Sequence, residues 1–188
     1  GGNLGNVYAL YKGFQLMKDL GVTDAMPRLV AAQAAQANPL YRAFKGGWDS
    51  YEAITAGPTL ASAIRIGDPV SIRRAIQALE ATDGIVEEAS EVELADAMAR
   101  ADRAGAYVCP QTGVALAVLE KLVATQTIRP GARVVVISTA HGLKFTQTKI
   151  AYHERSLPDI VSLRANEPQS VPSDPASLIE TLTHLLRL

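Results

Sequence analysis

Gly2-Asn3-Leu4-Gly5-Asn6 is a set of residues suited to holding an anion. Glycine has no Cβ, so its amide can approach an oxyanion that a bulkier residue would keep away. A helix-periodic segment starts directly behind the loop. The N-terminus of such a helix adds unpaired N–H groups and a partial positive charge, favouring an anion by about 0.3–1 kcal/mol. Asn3 and Asn6 add amide donors without adding charge, and a phosphate monoester is the ligand this arrangement suits. The competing reading is a glycine turn that merely reverses the chain. Two nucleotide signatures fail on spacing. A P-loop ends in Gly-Lys-Ser/Thr, which Asn6-Val7-Tyr8 does not supply, and G-x-G-x-x-G does not fit residues 1–6, although Asp24 stands near the ribose distance.

A second polar cluster, Ser138-Thr139-Ala140-His141-Gly142-Leu143-Lys144, follows the β-branched run Arg133-Val134-Val135-Val136-Ile137. Ligands of open α/β sheets bind at the carboxyl ends of strands, so both clusters are expected to face one crevice. His141 could act as an acid or base, but with Gly142 beside it a turn-fixing role is preferred. Lys144 reads as solvated or ion-paired before it reads as a phosphate ligand. Cys109, between Val108 and Pro110, reads as a buried structural thiol with nothing nearby to lower its pKa. Arg65 could contact an anion or brace its loop, and Trp48 could anchor an interface or fill core. Glu87 and Glu88 are neighbours on a strand and therefore point to opposite faces. His141, His153 and His184 show no metal-ligand spacing, and no metal site is expected.

These residues need a scaffold. Val7, Leu10, Tyr11, Phe14, Met17 and Leu20 recur at helical steps, and Gly21 sits where a left-handed C-cap belongs. Residues 28–33 read as a buried strand ended by Asn38-Pro39. Residues 41–67 read as irregular. Asp68-Pro69 reads as the start of a helix, Gly84-Ile85-Val86 as a short strand, and Ser90-Glu91-Val92-Glu93 as a capping box. Tyr107-Val108-Cys109 reads as a third strand, Thr112 as the cap of the next helix, and residues 133–139 as a strand covered on both faces. The alternation predicts an α/β fold: an open, mostly parallel sheet with helices on both faces. From Glu154 to Pro175 proline and polar residues dominate. Asp174-Pro175 then opens a final helix with Leu178, Ile179, Leu182, Leu185 and Leu186 on one side.

The length of 188 residues suits one domain or the larger part of one, and 48% hydrophobic residues can build a substantial core. A net charge of −1 gives no reason to expect nucleic acid or an anionic membrane as partner. The single cysteine excludes an internal disulfide and fits a reducing compartment. No run approaches the roughly 18 apolar residues of a membrane span, and no signal peptide is visible.

The segments GGNLGN (1–6), AQAAQANPLY (32–41), ASAIRIGDPVSI (61–72), GIVEEAS (84–90), CPQTGVAL (109–116) and STAHGLKFTQ (138–147) resemble, in collinear order, the threonine synthase family in its plant-type form. The resemblance runs to about His153. It implies a fold-type-II pyridoxal phosphate enzyme, tryptophan synthase β-like, converting O-phospho-L-homoserine and water into L-threonine and phosphate. It implies that Gly2, Asn3, Leu4, Gly5 and Asn6 bind the cofactor phosphate, and that Thr139 hydrogen-bonds the pyridine nitrogen.

The family's Schiff-base lysine stands upstream of the phosphate loop, and none of Lys12, Lys18, Lys45, Lys121, Lys144 or Lys149 matches it. The chain is therefore expected to be a C-terminal portion and inactive alone. Residues 1–153 would form part of the cofactor-binding domain and residues 154–188 an arm and helix. The resemblance further implies a homodimer, an S-adenosylmethionine effector if plant-like, and a bacterial cytoplasm or plastid stroma. Cysteate synthase, using phosphoserine and sulfite, and a non-catalytic pyridoxal-phosphate-fold binding module are the alternatives.

Overall fold

Two short strands, Val30–Ala34 (β1) and Ile85–Ala89 (β2), pair in parallel with Ala31 opposite Val86 and Ala34 opposite Ala89. The computed structural model describes residues 1–171 and 173–186; Pro172, Arg187 and Leu188, all in the expected arm, lie outside the described residues, as does the side chain of Leu186. Alternation along each strand sends Ala31 and Val86 to one face of the ribbon, and Ala32, Ala34, Ile85 and Ala89 to the other.

The first face is covered by helices Gly5–Asp19 (α1), Pro39–Lys45 (α2) and Ile72–Ala81 (α3). Val7, Leu10, Leu40, Ile72, Ala75 and Leu79 close over Ala31 and Val86 there. The second face is covered by Glu91–Arg103 (α4) and Pro110–Ala124 (α5), through Leu94, Ala97, Val114, Ala117, Val118 and Leu122. Helices Thr146–His153 (α6) and Pro175–Leu186 (α7) follow. The fold is thus α/β with helices on both faces of a parallel ribbon, as expected. Among the described residues the sheet is two-stranded.

Local signals hold where their partners are close in sequence. Gly21 adopts φ +70, with its amide on the Lys18 carbonyl and the Val22 amide on the Met17 carbonyl, which closes α1 in a Schellman turn. The Ser90 hydroxyl accepts from the Glu93 amide, and Glu93 accepts from the Ser90 amide at 2.7 Å. Asp174 accepts from the Ser177 amide at 2.9 Å in the first turn of α7.

Three expectations are corrected. Residues 133–139 form no ladder: they run without strand pairing, and Val135 is 88% exposed. β-branched composition favours a pleated, half-buried surface but cannot supply the neighbouring strand that defines one. The third strand reduces to an isolated antiparallel bridge between Val108 and His141. Finally, α3 begins at Ile72 behind Ser71, because the Asp68 carboxylate is engaged by the Tyr51 hydroxyl at 2.6 Å instead of by a helix amide.

The tail folds back on α4. The Tyr152 hydroxyl donates to Asp96 at 2.9 Å, Arg164 Nε donates to the same carboxylate at 3.2 Å, and the Arg164 amide donates to the Tyr152 oxygen. Leu157 and Ile160 pack beside Ala95, Ala99 and Tyr152. No described helix is long and apolar enough to cross a membrane.

Candidate functional site

The glycine loop is built by two pinned carbonyls. The Gly1 carbonyl accepts from Gln33 Nε2 at 3.1 Å, while the Gly1 nitrogen donates to the Ala32 carbonyl. The Asn3 carbonyl accepts from the Ser71 amide at 3.3 Å, and Asn3 Oδ1 accepts from the Val70 amide at 3.0 Å. Leu4, buried in the core and left-handed at φ 65, ends the loop and supplies no side-chain cap to α1. Gly2 is buried, and a Cβ there would stand 2.9 Å from Ile64 Cα, so any larger residue would force the Ile64 backbone to shift.

What remains is a set of donors without acceptors. Among the described residues nothing accepts from the amides of Gly2, Asn3 or Leu4. The first-turn amides of α1 have no intrahelical partner by geometry, and no acidic side chain stands in that turn. Gly2 and Leu4 are buried residues, and backbone N–H groups at such positions are usually paired. Since Asn3 Oδ1 is occupied as an acceptor, its NH₂ group is the end left to donate. The set offers only N–H donors, and with the helix dipole behind it an oxyanion such as phosphate is the matching chemistry.

Thr139 sits in a different cluster, at the N-terminus of α5. Cys109, not Thr112, is the N-cap of that helix, with Pro110 at its first position. The Thr112 hydroxyl lies 3.2 Å from Cys109 Sγ and 3.3 Å from Ser138 Oγ; Thr139 Oγ1 is 4.0 Å from the same sulfur. A chain of hydroxyls and one thiol therefore joins residues 109, 112, 138 and 139. Burial pushes the Cys109 thiol up, yet the Thr112 hydroxyl and amide, the Thr139 hydroxyl and the Ala140 amide outweigh it and leave the thiol below its ordinary pKa. This corrects the expectation that nothing nearby would lower it.

No hydrogen bond among the described residues joins the glycine loop to Thr139. Gly2 packs on Ile64 of the turn Ser62–Ile64, and the Ile64 side chain lies against the same core cluster as Val114 and Ala117 of α5.

The other candidates take structural places. His141 Nδ1 accepts from the Leu143 amide at 3.2 Å, and Lys144 is exposed. Arg65 donates to the Ala56 carbonyl, and Trp48 stacks obliquely on Phe44 with centroids 5.1 Å apart. Glu88 Oε2 accepts from Asn38 Nδ2, whereas Glu87 Oε1 accepts from the Glu88 backbone amide. No group of residues able to hold a metal is found among the described residues.

Two residues that sequence reasoning passed over organise the neighbourhood. Gln33 is fully buried on β1. Lys149, 1% exposed, reaches both carboxylate oxygens of Asp102 at 2.5 and 2.7 Å and lies 4.1 Å from the Tyr107 ring centroid. Burial lowers the Lys149 pKa even against the attraction of Asp102. Gly142, whose amide donates to the Tyr107 carbonyl at 2.8 Å, is wedged beneath that lysine. Neither residue carried a signal, because Asp102 and Gly1 are distant in sequence from their partners.

Residues 1–140 match the family described as "Pyridoxal-phosphate dependent enzyme". The chain is 52% identical over its full length to threonine synthase 2, chloroplastic, of Arabidopsis thaliana, covering 36% of that protein. It is 38% identical to a threonine synthase of Methanosarcina acetivorans, over 79% of this chain and 37% of that protein. A crystal structure of threonine synthase from Escherichia coli superposes with TM-score 0.64 at 21% identity, over 98% of this chain and 42% of the other; that likeness bears on the fold. The chain spans between a third and a half of the length of these relatives.

Proposed function

The chain belongs to the pyridoxal-phosphate dependent enzymes, and from that premise we propose that it forms the cofactor-phosphate part of a threonine synthase acting on O-phospho-L-homoserine. One observation supports this most directly: the amides of Gly2, Asn3 and Leu4, two of them in buried residues, have no acceptor among the described residues. The phosphate of pyridoxal phosphate fits such a donor set, and no carboxylate in the first turn of α1 opposes it.

In this reading the chain contributes binding and orientation. When bound, the cofactor withdraws electrons from the bonds at the substrate's amino carbon. Gly2, Asn3, Leu4, Gly5 and Asn6 hold its phosphate through amides and asparagine NH₂ groups. The Thr139 hydroxyl, neutral at all working pH values, donates to the ring nitrogen without protonating it. A carboxylate there would favour the pyridinium and a stronger electron sink. The hydroxyl instead suits elimination of phosphate from the substrate's γ-carbon followed by addition of water at the β-carbon. The hydroxyl–thiol chain around Cys109 keeps Thr139 in a polar, ordered setting.

The test is an assay of the intact protein with O-phospho-L-homoserine. Threonine and phosphate released in equal amounts, dependent on added cofactor, is the expected result. Cysteate from phosphoserine and sulfite, without threonine, would replace this reading; nothing in the relatives' names favours it. Residues 1–188 alone are expected to show no turnover, since none of their lysines corresponds to the family's Schiff-base position and Lys149 is locked on Asp102.

Finer readings belong to the same proposal. The division into a cofactor-domain part at 1–153 and an arm at 154–188 is tested by limited proteolysis. A homodimer is tested by sedimentation, and S-adenosylmethionine activation by titration of the assay. A plastid location is suggested by the Arabidopsis relative's name and is tested by fractionation.

A further inference from the structure

Gln33 is the least expected residue near the glycine loop: a fully buried primary amide in a strand otherwise made of valine and alanine. Burying an amide is unfavourable unless its bonds are made, and here both ends make them. Nε2 donates to the Gly1 carbonyl at 3.1 Å, and Oε1 accepts from the Tyr41 amide at 3.0 Å. Because one partner is a carbonyl and the other an N–H, the orientation of the side-chain amide is fixed by chemistry.

The consequence follows from peptide geometry. In a planar trans peptide the C=O and the next residue's N–H point in opposite directions. Pinning the Gly1 carbonyl toward β1 therefore turns the Gly2 N–H away from β1. The Asn3 carbonyl, held by the Ser71 amide, turns the Leu4 N–H in the same manner. Glycine at positions 1 and 2 leaves the intervening peptide free to rotate, so without a fixed bond the Gly2 N–H could invert.

We propose that Gln33 is the positioning residue of the anion loop: its bond to the Gly1 carbonyl holds the Gly2 amide in the orientation that receives the cofactor's phosphate. The proposal rests on the reading of that loop given above. It separates Gln33 from residues that merely stabilise β1, because its effect is confined to ligands carrying the phosphate group.

The experiment compares binding of pyridoxal 5′-phosphate and of pyridoxal, which lacks the phosphate, to the intact protein and to Gln33→Met, followed by cofactor absorbance. Losing one amide donor to a phosphate is expected to weaken pyridoxal phosphate about tenfold or more, with pyridoxal changed by less than about twofold. Equal weakening of both ligands, or of neither, overturns the positioning role. A wild-type protein that binds pyridoxal as tightly as its phosphate ester overturns the underlying reading of the loop instead, and so the two failures are distinguishable. Gln33→Glu provides a second variant: it keeps an acceptor for the Tyr41 amide and loses the donor, and the same loss of phosphate preference is expected. Hydrogen exchange at the Gly2 amide is followed in the wild type and in Gln33→Met. Slowing on addition of pyridoxal phosphate, and not of pyridoxal, that is lost in Gln33→Met supports the proposal; equal slowing in both proteins overturns it, and no slowing in the wild type overturns the reading of the loop.

Discussion

A hydroxyl at position 139 and a carboxylate there differ by one charge, and the chemistry expected of the site turns on that difference. Thr139→Asp should shift product partition from threonine toward side reactions, as measured by product chromatography of the intact protein. An unchanged ratio would remove Thr139 from the ring nitrogen. Lys149 poses a different test. Replacing it by methionine takes the cation from a largely buried Asp102 carboxylate, which keeps only the Val108 amide at 3.2 Å, at about 3 kcal/mol of stability by comparison with other buried pairs. Denaturant unfolding measures this, and the double change Lys149→Met, Asp102→Leu should recover most of the loss. Both residues lay open in the sequence, but only Thr139 could be singled out there. Its motif is contiguous, whereas Lys149 meets a partner 47 positions away.

Elements whose ends are fixed by neighbours a few residues off were legible: the Gly21 turn, the Ser90–Glu93 box and the Asp174 cap each close within one helical turn. Ser90→Ala should cost about 1 kcal/mol through loss of the N-cap bond, read as a lowered thermal midpoint. Residues 133–139 were misjudged for the opposite reason: a strand is a relation between segments, and a valine-rich run reports only willingness to enter one. The tail is held to α4 by Tyr152, whose phenol is pushed up to about 12 by burial, followed by its bond to Asp96, against the opposing effect of the Arg164 amide. A folded-state pKa above the ordinary value of 10.0 means the native state keeps a proton that the unfolded chain releases. Stability should therefore be intact below pH 10 and fall as pH rises toward about 12. Tyr152→Phe should flatten that part of the pH profile, and an unaltered slope would show the contact to be unimportant.

At the scale of the whole chain, the two faces of the ribbon are covered while other apolar surface is not. Val134, Val135 and Ile137 are exposed, as are Leu178, Ile179, Leu182 and Leu185 on α7. Unpaired backbone flanked by valines is a template for further pairing. Residues 1–188 in isolation should self-associate in sedimentation experiments, and Val135→Lys should reduce that association more than a lysine placed at exposed Glu180. The corner where α4, α6 and the Val108–His141 bridge meet has a consequence for how this sequence can vary. A methyl group at Gly142 would stand 2.7 Å from Tyr107 Cδ1 and closer still to Lys149 Cε, which Asp102 prevents from retreating. A library randomised jointly at 107, 142 and 149 should return alanine or serine at 142 only in clones with smaller side chains at both 107 and 149. The three sites are heritable as one unit.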